Sequence, residues 1–300
     1  MKFVVWKLAL WLCVLACPCT AWAAAPLATA TIVDGEVVLI RDATRMLLAE
    51  GVRLAKDDIV ETTDMGRLVR IEFSDGLMLD LGPGTRVLLS PRLSGDKARA
   101  QSKAHLLSGS AKLTVSKGRP PAADVMSSPA FDVTGMVRSA VFVVLPTEAH
   151  AFAESGELVL RERAGAKAGA IHSLKGSEFF SQQGSEKSTI TPRPTPAFIQ
   201  RLPRPFVDAL PSRAALFKDR DVVPKRLGDI TYADVAGWID ADGLRAGFVT
   251  RWKALAQDAE FRKGLIANLR NHPEWDRTLF PEKYLPKPAA SEAARYGTKP

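Results

Sequence analysis

The chain of 300 residues is 46% hydrophobic and 25% charged, an ordinary globular composition that excludes wholesale disorder and leaves room for about two domains. Its formal charge of +8 is modest, and its three cysteines all lie before Ala23, which excludes a disulfide scaffold in the remainder. Residues 1–23 carry only Lys2 and Lys7 as charges, then an apolar run, then the small-x-small site Ala21-Trp22-Ala23, the pattern of a secretory signal peptide. The mature chain is therefore expected to begin at Ala24, to be periplasmic, and to hold no thiolate ligand or nucleophile. The alternative is a lipoprotein anchored at Cys17, since Val14-Leu15-Ala16-Cys17 loosely resembles a lipobox. No later segment approaches the ~18 consecutive apolar residues of a membrane span, so none is expected to cross after signal cleavage.

Residues 24–31 are small and unpatterned. Gly35 to Arg41 and Arg45 to Leu48 read as two short strands about Asp42-Ala43-Thr44. Val69, Ile71 and Phe73, then Leu77, Leu79 and Leu81, alternate with Arg70, Glu72, Met78 and Asp80, which is the period of strands with one buried face. Ser74-Asp75-Gly76 between them predicts a hairpin turn. Gly82-Pro83-Gly84 breaks the ladder before a strand over Thr85 to Leu89. His105 to Leu107 and Ala111 to Val115 read as two strands flanking a Ser108-Gly109-Ser110 turn, with a loop from Lys117 to Ala122. A second set follows over Phe131 to Val133, Val137 to Leu145, Ala149 to Phe152, Glu157 to Arg163, Ile171 to Leu174 and Ser177 to Gln183, with a turn at Ser155-Gly156. Many short strands without intervening helix predict a mainly β unit, as a sandwich or a rolled, solenoid-like sheet.

Two groups of residues carry a resemblance. Gly51, Leu54, Asp58, Val60, Thr62, Asp75, Gly76, Leu79, Leu81 and Pro83 form one; Phe131, Val133, Arg138, Phe142, Glu154, Gly156 and Gly176 form the other. Together they resemble the FecR-domain proteins of bacterial envelopes over residues 32–190. Asp57 stands where that family has a glycine, and Ser139-Ala140 replace its Gly-Thr. The resemblance implies a β-roll or solenoid-like fold and a place in envelope signalling. FecR-type regulators relay a signal from an outer-membrane receptor to a cytoplasmic sigma factor. With a cleavable signal and no cytoplasmic arm expected here, direct sigma-factor contact is not carried over.

Residues 191–227 contain Pro192, Pro194, Pro196, Pro203, Pro205, Pro211 and Pro224 and a surplus of arginine and lysine, a composition that predicts an extended, basic linker. Its Phe198, Ile199, Phe206, Val207, Leu210, Leu216 and Phe217 are more than a free linker needs, so part of it is expected to pack on a domain. Helical periodicity begins after Asp229. Thr231 to Asp234 has capping-box form, Gly243 separates two runs, and Leu244, Phe248, Val249, Trp252 and Leu255 fill one helical face, a pattern that Phe261, Leu265, Ile266 and Leu269 repeat up to His272-Pro273. The expected organisation is thus a signal peptide (1–23), a FecR-like β domain (32–190), a Pro-rich basic linker (191–227), a small helical domain (228–285) and a loose tail (286–300).

Candidate chemistry is sparse. His105, His150, His172 and His272 show no metal-ligand spacing, so neither a metal nor a cofactor is expected. No nucleophile motif or phosphate loop occurs. Asp57, Asp58, Asp75 and Asp80 are better read as turn and strand residues than as a catalytic set. The basic stretch Arg92 to Arg99 lacks the aromatics of a nucleic-acid surface, and export argues against that partner. The expected function is that of a non-catalytic exported envelope protein that binds a protein or a glycan. The competing class is a secreted carbohydrate-active enzyme using scattered acids. Trp275 and Phe280, beyond Pro273, are singled out as candidate docking residues.

Overall fold

A computed structural model of the chain describes residues 26–91, 101–164, 167–184 and 186–285. The signal peptide with Cys17, the Arg92 to Arg99 stretch and the 286–300 tail lie outside these residues. The strands are β1 (Ala28–Asp34), β2 (Val37–Arg41), β3 (Thr44–Leu47), β4 (Arg53–Leu54), β5 (Ile59–Thr62), β6 (Leu68–Phe73), β7 (Leu77–Leu81), β8 (Arg86–Leu89), β9 (Ala104–Val115), β10 (Ala122–Ser127), β11 (Phe131–Met136), β12 (Ser139–Val144), β13 (Glu148–Ser155), β14 (Leu158–Ala164), β15 (Lys167–Leu174), β16 (Phe179–Gln183), β17 (Thr189–Thr191) and β18 (Lys225–Asp229). The mainly β class with C-terminal helices is as the sequence predicts.

The strands form one curled sheet with two faces. Sheet A runs β4-β1-β6-β7-β9-β12-β13-β16-β17, antiparallel throughout. Sheet B runs β18-β3-β2-β5-β8-β9-β10-β11-β14-β15, with β9 and β10 parallel. Strand β9 belongs to both, since Ala104 to Ser108 pair with β8 and Gly109 to Val115 pair with β7 and β12. The turn expected at Ser108-Gly109-Ser110 is instead a bend within this strand. Gly109 takes φ +102°, and a Cβ there would meet Thr85 at 2.5 Å, so only glycine lets the strand pass from one sheet to the other. The turn at Gly156 differs in the same way from that at Gly76: the latter closes a hairpin in sheet A, whereas the former crosses from β13 in sheet A to β14 in sheet B.

The inward residues of both sheets make one core. Val69, Ile71, Leu79, Leu81 and Leu113 of sheet A meet Val37, Leu39, Val60, Val87 and Leu160 of sheet B. Toward the β14 end, Ala149, Ala151 and Ala153 leave room for Phe131, whose ring lies 5.9 Å from both Phe142 and Phe180. Small opposite large is how facing layers fill space without voids.

Both outer faces are covered. The segment after β17 crosses the outer face of sheet A as a strap. It holds α1 (Pro196–Arg201), capped by Thr195, and single 3-10 turns at Arg204–Phe206 and Ala214–Phe217. Phe198 and Phe206 bury themselves against Val141, Val143 and Phe179. The strap then reaches Gly51, where a Cβ would collide with Phe217 and Val222, bridges Val222 to Val52, and ends as β18 on the edge of sheet B. The segment expected to be a linker packs in part, as its aromatic content predicts, anchored at Phe198, Phe206 and Phe217 while many side chains between them stay exposed, and its last residues are part of the sheet.

From β18 the chain passes to the outer face of sheet B. There α2 (Tyr232–Ile239), α3 (Arg245–Trp252), α4 (Ala259–Ala267) and α5 (Asp276–Leu279) pack on Val38, Ile40, Ile59 and Leu88. The expected capping box at Thr231 and Asp234 opens α2. Trp238 donates through Nε1 to Glu61 at 2.6 Å and Trp252 to the Asp42 carbonyl at 2.8 Å, so both tryptophans tie the helices to the sheet as well as filling the core. Among the described residues, no helix is long and apolar enough to cross a membrane.

Candidate functional site

The outer face of sheet A carries a row of charges beneath the strap. Register places Arg70 beside Asp80 and Asp80 beside Lys112 on three adjacent strands. Arg70 grips Asp80 with two bonds, Nε to Oδ1 at 2.6 Å and Nη2 to Oδ2 at 2.7 Å, and its Nη1 donates to the carbonyls of Leu210 (2.8 Å) and Pro211 (3.1 Å). Arg70 is 3% and Asp80 2% exposed. Burial works against the Arg70 charge, but the Asp80 contact and the nearby Glu72 outweigh it and raise its pKa above the ordinary value. Lys112 Nζ donates to Glu154 Oε1 at 3.0 Å and to the Phe206 carbonyl at 2.5 Å. Glu72 accepts from Thr31 Oγ1 (2.7 Å), from the Arg213 amide (2.7 Å) and from Ser212 Oγ. Proline brings no N–H, so the strap presents carbonyls that these cations satisfy.

Where the strap leaves this row, a groove of about 360 Å³ opens between it and strands β7, β9, β12 and β13. Its polar lining includes Arg70, Lys112, Thr114, Ser139, Glu154 and Asp208, with Lys117 and Arg138 at the rim. Ser139 Oγ donates to Glu154 Oε2 at 2.8 Å and shares a 2.8 Å bond with Ser155 Oγ. Glu154 is thus held by Lys112 on one side and Ser139 on the other. Arg138 is fixed by the bond from the Val115 amide to its carbonyl (2.7 Å) and by the close backbone of Gly156. Two of the seven residues that carry the second part of the family resemblance, Arg138 and Glu154, therefore line this groove together with Ser139, and a third, Gly156, packs against Arg138. The sequence reading named them for resemblance alone; it missed Lys112, Thr114 and Lys117 as lining. The available signal was alternation, which puts Lys112 and Thr114 on the same face as Asp80 and Met78.

The four aspartates singled out in the sequence are not brought together as a set, and three carry visible structural tasks. Asp58 pairs with Arg41 through both oxygens (2.9 and 2.6 Å) and accepts from the Ala55 amide at 2.8 Å. Asp75 accepts from the Leu77 amide and pairs with Lys103. Asp80 lies in the row under the strap. Asp57, at the position where the family has glycine, takes a positive φ (+65°), and its carbonyl accepts from Arg251 at 2.5 Å. It borders a second pocket of about 360 Å³ beneath α3 with Asp42, Leu88, Phe248 and Arg251. Burial lowers the Arg251 pKa, against the pull of Asp57, Asp42 and Asp58.

The histidines are dispersed. His105 is buried with Nδ1 2.9 Å from Ser127 Oγ, and burial, with Arg163 adding, pushes its pKa down to about 3. His150 and His172 each face a glutamate, Glu148 and Glu162. His272 does not end a helix as expected. It lies beyond α4, wholly buried, and links Asp240 (2.6 Å) to the Leu265 carbonyl (3.0 Å).

The docking residues require correction. Trp275 is 0% exposed, inside the helical core with Trp238, Leu265 and Leu279, because the chain folds back after Pro273 in a 3-10 turn rather than reaching outward. Phe280 is half-buried against the same core, with Lys283 Nζ 4.1 Å from its ring centre. Neither presents a free aromatic face.

No protein-family model matches the chain, and no curated protein matches it. Two crystal structures of a putative anti-sigma factor from Parabacteroides distasonis, at 2.50 and 1.65 Å resolution, are similar to it. Each is 13% identical with a TM-score of 0.35, covering 45% of this chain and 59% of that one. The chain thus spans less than two thirds of the length of these similar proteins.

Proposed function

We propose that this protein is a non-catalytic component of the bacterial envelope, exported to the periplasm, whose FecR-like β unit binds a protein or glycan partner in envelope signalling, with the groove beside the strap as the binding site. The observation that carries this reading is the state of Glu154. It is the carboxylate on the sheet side of the groove, and Lys112 and Ser139 occupy both its oxygens. A general acid or base needs a carboxylate free to exchange a proton with substrate, and a glycosidase needs two facing each other across the bond to be cut. Asp58, Asp75 and Asp80 are likewise engaged in ion pairs that hold loops and strands. Export rests on the signal-like first 23 residues, and mass spectrometry of the envelope protein is expected to find Ala24 at the N-terminus.

The test of the function is photo-crosslinking in intact cells from a reactive residue placed at Lys117. A specific adduct at that position, absent when the crosslinker is placed at Ile171 on sheet B, supports the groove as a partner site. Reproducible glycan hydrolysis abolished by Glu154→Gln, with an unchanged melting curve, would replace the binding reading with the enzymatic one.

A further inference from the structure

Resting on the reading of the groove as a partner site, we infer that its ligand is an acidic segment of a protein chain, carboxylates interleaved with apolar side chains, and not a sugar. The cations on its floor are already neutralised, Arg70 by Asp80 and Lys112 by Glu154, so they do not call for an external anion. Those on its rim are different. Lys117 and Arg138 are exposed and line the groove without a carboxylate partner among the described residues. Both stand on fixed backbone. Arg138 immediately precedes β12 and is held through the Val115 amide. Lys117 lies in the turn after β9, pinned where Ser116 Oγ donates to the Gly76 carbonyl at 2.8 Å and the Arg119 amide donates to the Ser116 carbonyl at 3.2 Å. Two unpaired cations held in this way attract a ligand that carries negative charge.

The rest of the wall decides what kind of anion. Met78 and Val115 on the sheet side and Val207 and Leu210 on the strap give the groove apolar ground, and Val207 is 73% exposed although its neighbour Phe206 is buried. Among the described residues, no aromatic ring lines the groove. An acidic sugar binds best where the C–H face of its ring can lie on an aromatic side chain, and its hydroxyls need free hydrogen-bonding groups. Here Ser139, Ser155 and Lys112 spend theirs on Glu154 and on one another. Aliphatic ground beside unpaired cations fits leucine- or valine-type side chains flanked by glutamate or aspartate. Glu154 and Asp208 are the acids that face the ligand; the first is neutralised by Lys112, and the second lies exposed on the strap and favours placement of the ligand carboxylates at the Lys117 and Arg138 end. The volume lies at the small end of the roughly 300–1,000 Å³ of ligand pockets, enough for a few residues of an extended peptide.

The experiment uses the full mature chain and three probes: a fluorescein-labelled octapeptide alternating leucine and glutamate, the same peptide with glutamine for glutamate, and labelled oligogalacturonate. Fluorescence anisotropy is expected to show the glutamate peptide bound at low salt and weakened by added salt, with the glutamine peptide at least about tenfold weaker. The double variant Lys117→Glu/Arg138→Glu, whose changes are on exposed side chains, is expected to keep its melting temperature and lose about tenfold or more in affinity. Val207→Ser is expected to weaken binding a few-fold without altering the salt dependence, which separates the apolar wall from the charges. Equal binding of the two peptides, an unaffected double variant, or no binding of the glutamate peptide overturns the inference. Should oligogalacturonate bind instead, with the same dependence on Lys117 and Arg138, the peptide inference falls and the partner-site reading stands. Should neither probe bind and position 117 capture nothing in cells, the reading falls too.

Discussion

The two outer faces of the sheet are covered by opposite means. Sheet A offers Arg70, Asp80, Lys112 and Glu72, and the chain covers it with a proline-rich strap that supplies carbonyls and the hydroxyl of Ser212. Sheet B offers Val38, Ile40, Ile59 and Leu88, and the chain covers it with helices that supply Trp238, Phe248 and Trp252. A helix meets charges through its side chains alone, as α2 does with Asp234 on Arg45 and Trp238 on Glu61, since its backbone groups are bonded internally; an extended segment also offers free carbonyls. The difference also bears on function. The helices leave a pocket of about 360 Å³ beneath α3, lined by Asp42, Asp57 and Arg251, whereas the extended strap leaves a groove at its side, with Lys117 and Arg138 on the rim and no carboxylate partner for either among the described residues.

The comparison can be broken on either side, and the largest effects come from the buried anchors. Arg70→Met strands the buried Asp80 carboxylate and is expected to cost about 3–5 kcal/mol in urea unfolding. Trp238→Ala is expected to cost a similar ~3–5 kcal/mol through the cavity it leaves. The two should part company on rescue: adding Asp80→Leu to Arg70→Met is expected to recover most of the loss, because removing both charges removes the desolvation penalty, whereas no single second change refills the Trp238 cavity. If the Arg70 double variant stays as unstable as the single one, the row holds the strap by more than charge.

A smaller effect is set by pH on the sheet B side. The folded His105 pKa, about 3, lies below its ordinary 6.5, so the unfolded state binds a proton that the folded state refuses. Stability is then full above pH 6.5 and falls by about 1.4 kcal/mol per pH unit as pH drops toward the folded value. His105→Gln is expected to flatten the slope between pH 6.5 and 5, where carboxylates add little; an unchanged slope would assign it to other groups. The smallest effect belongs to the strap's exposed edge. Arg201 pairs with Glu148 while more than half exposed, and Arg201→Ala is expected to cost under about 1 kcal/mol, vanishing in high salt.

Local signals in the sequence were read correctly where neighbouring residues decide the structure. The hairpin of β6 and β7 about Gly76, the capping box at Thr231 and the turn at Gly243 all depend on a few adjacent side chains. What was illegible depends on partners far along the chain. Nothing near Leu210 announces that its carbonyl meets Arg70, 140 residues away, so the apolar side chains of the strap tell that part of it packs but not on which face. Gly109 looks like a turn because its conformation is that of a turn; only the crowding of Thr85 from another strand makes it a bend between sheets. Trp275 looked free because Pro273 ends a helix, but the sequence does not say in which direction the chain leaves. At the groove, Arg138 and Glu154 were visible as pattern, while their meeting with Lys112 required the pairing of β9 with β12.

The central claim, that the strap is an integral covering of sheet A equal in standing to the helices on sheet B, is most directly tested by trypsin digestion of the folded mature chain with mass mapping of the cuts. The strap holds Arg201, Arg213, Lys218 and Arg220, none followed by proline and so all cleavable in an extended free segment. Protection of all four sites until global unfolding, with a single cooperative melt, is the result expected from the packing described. Rapid cleavage between Arg201 and Arg220, giving two fragments that stay folded and melt separately, would contradict it.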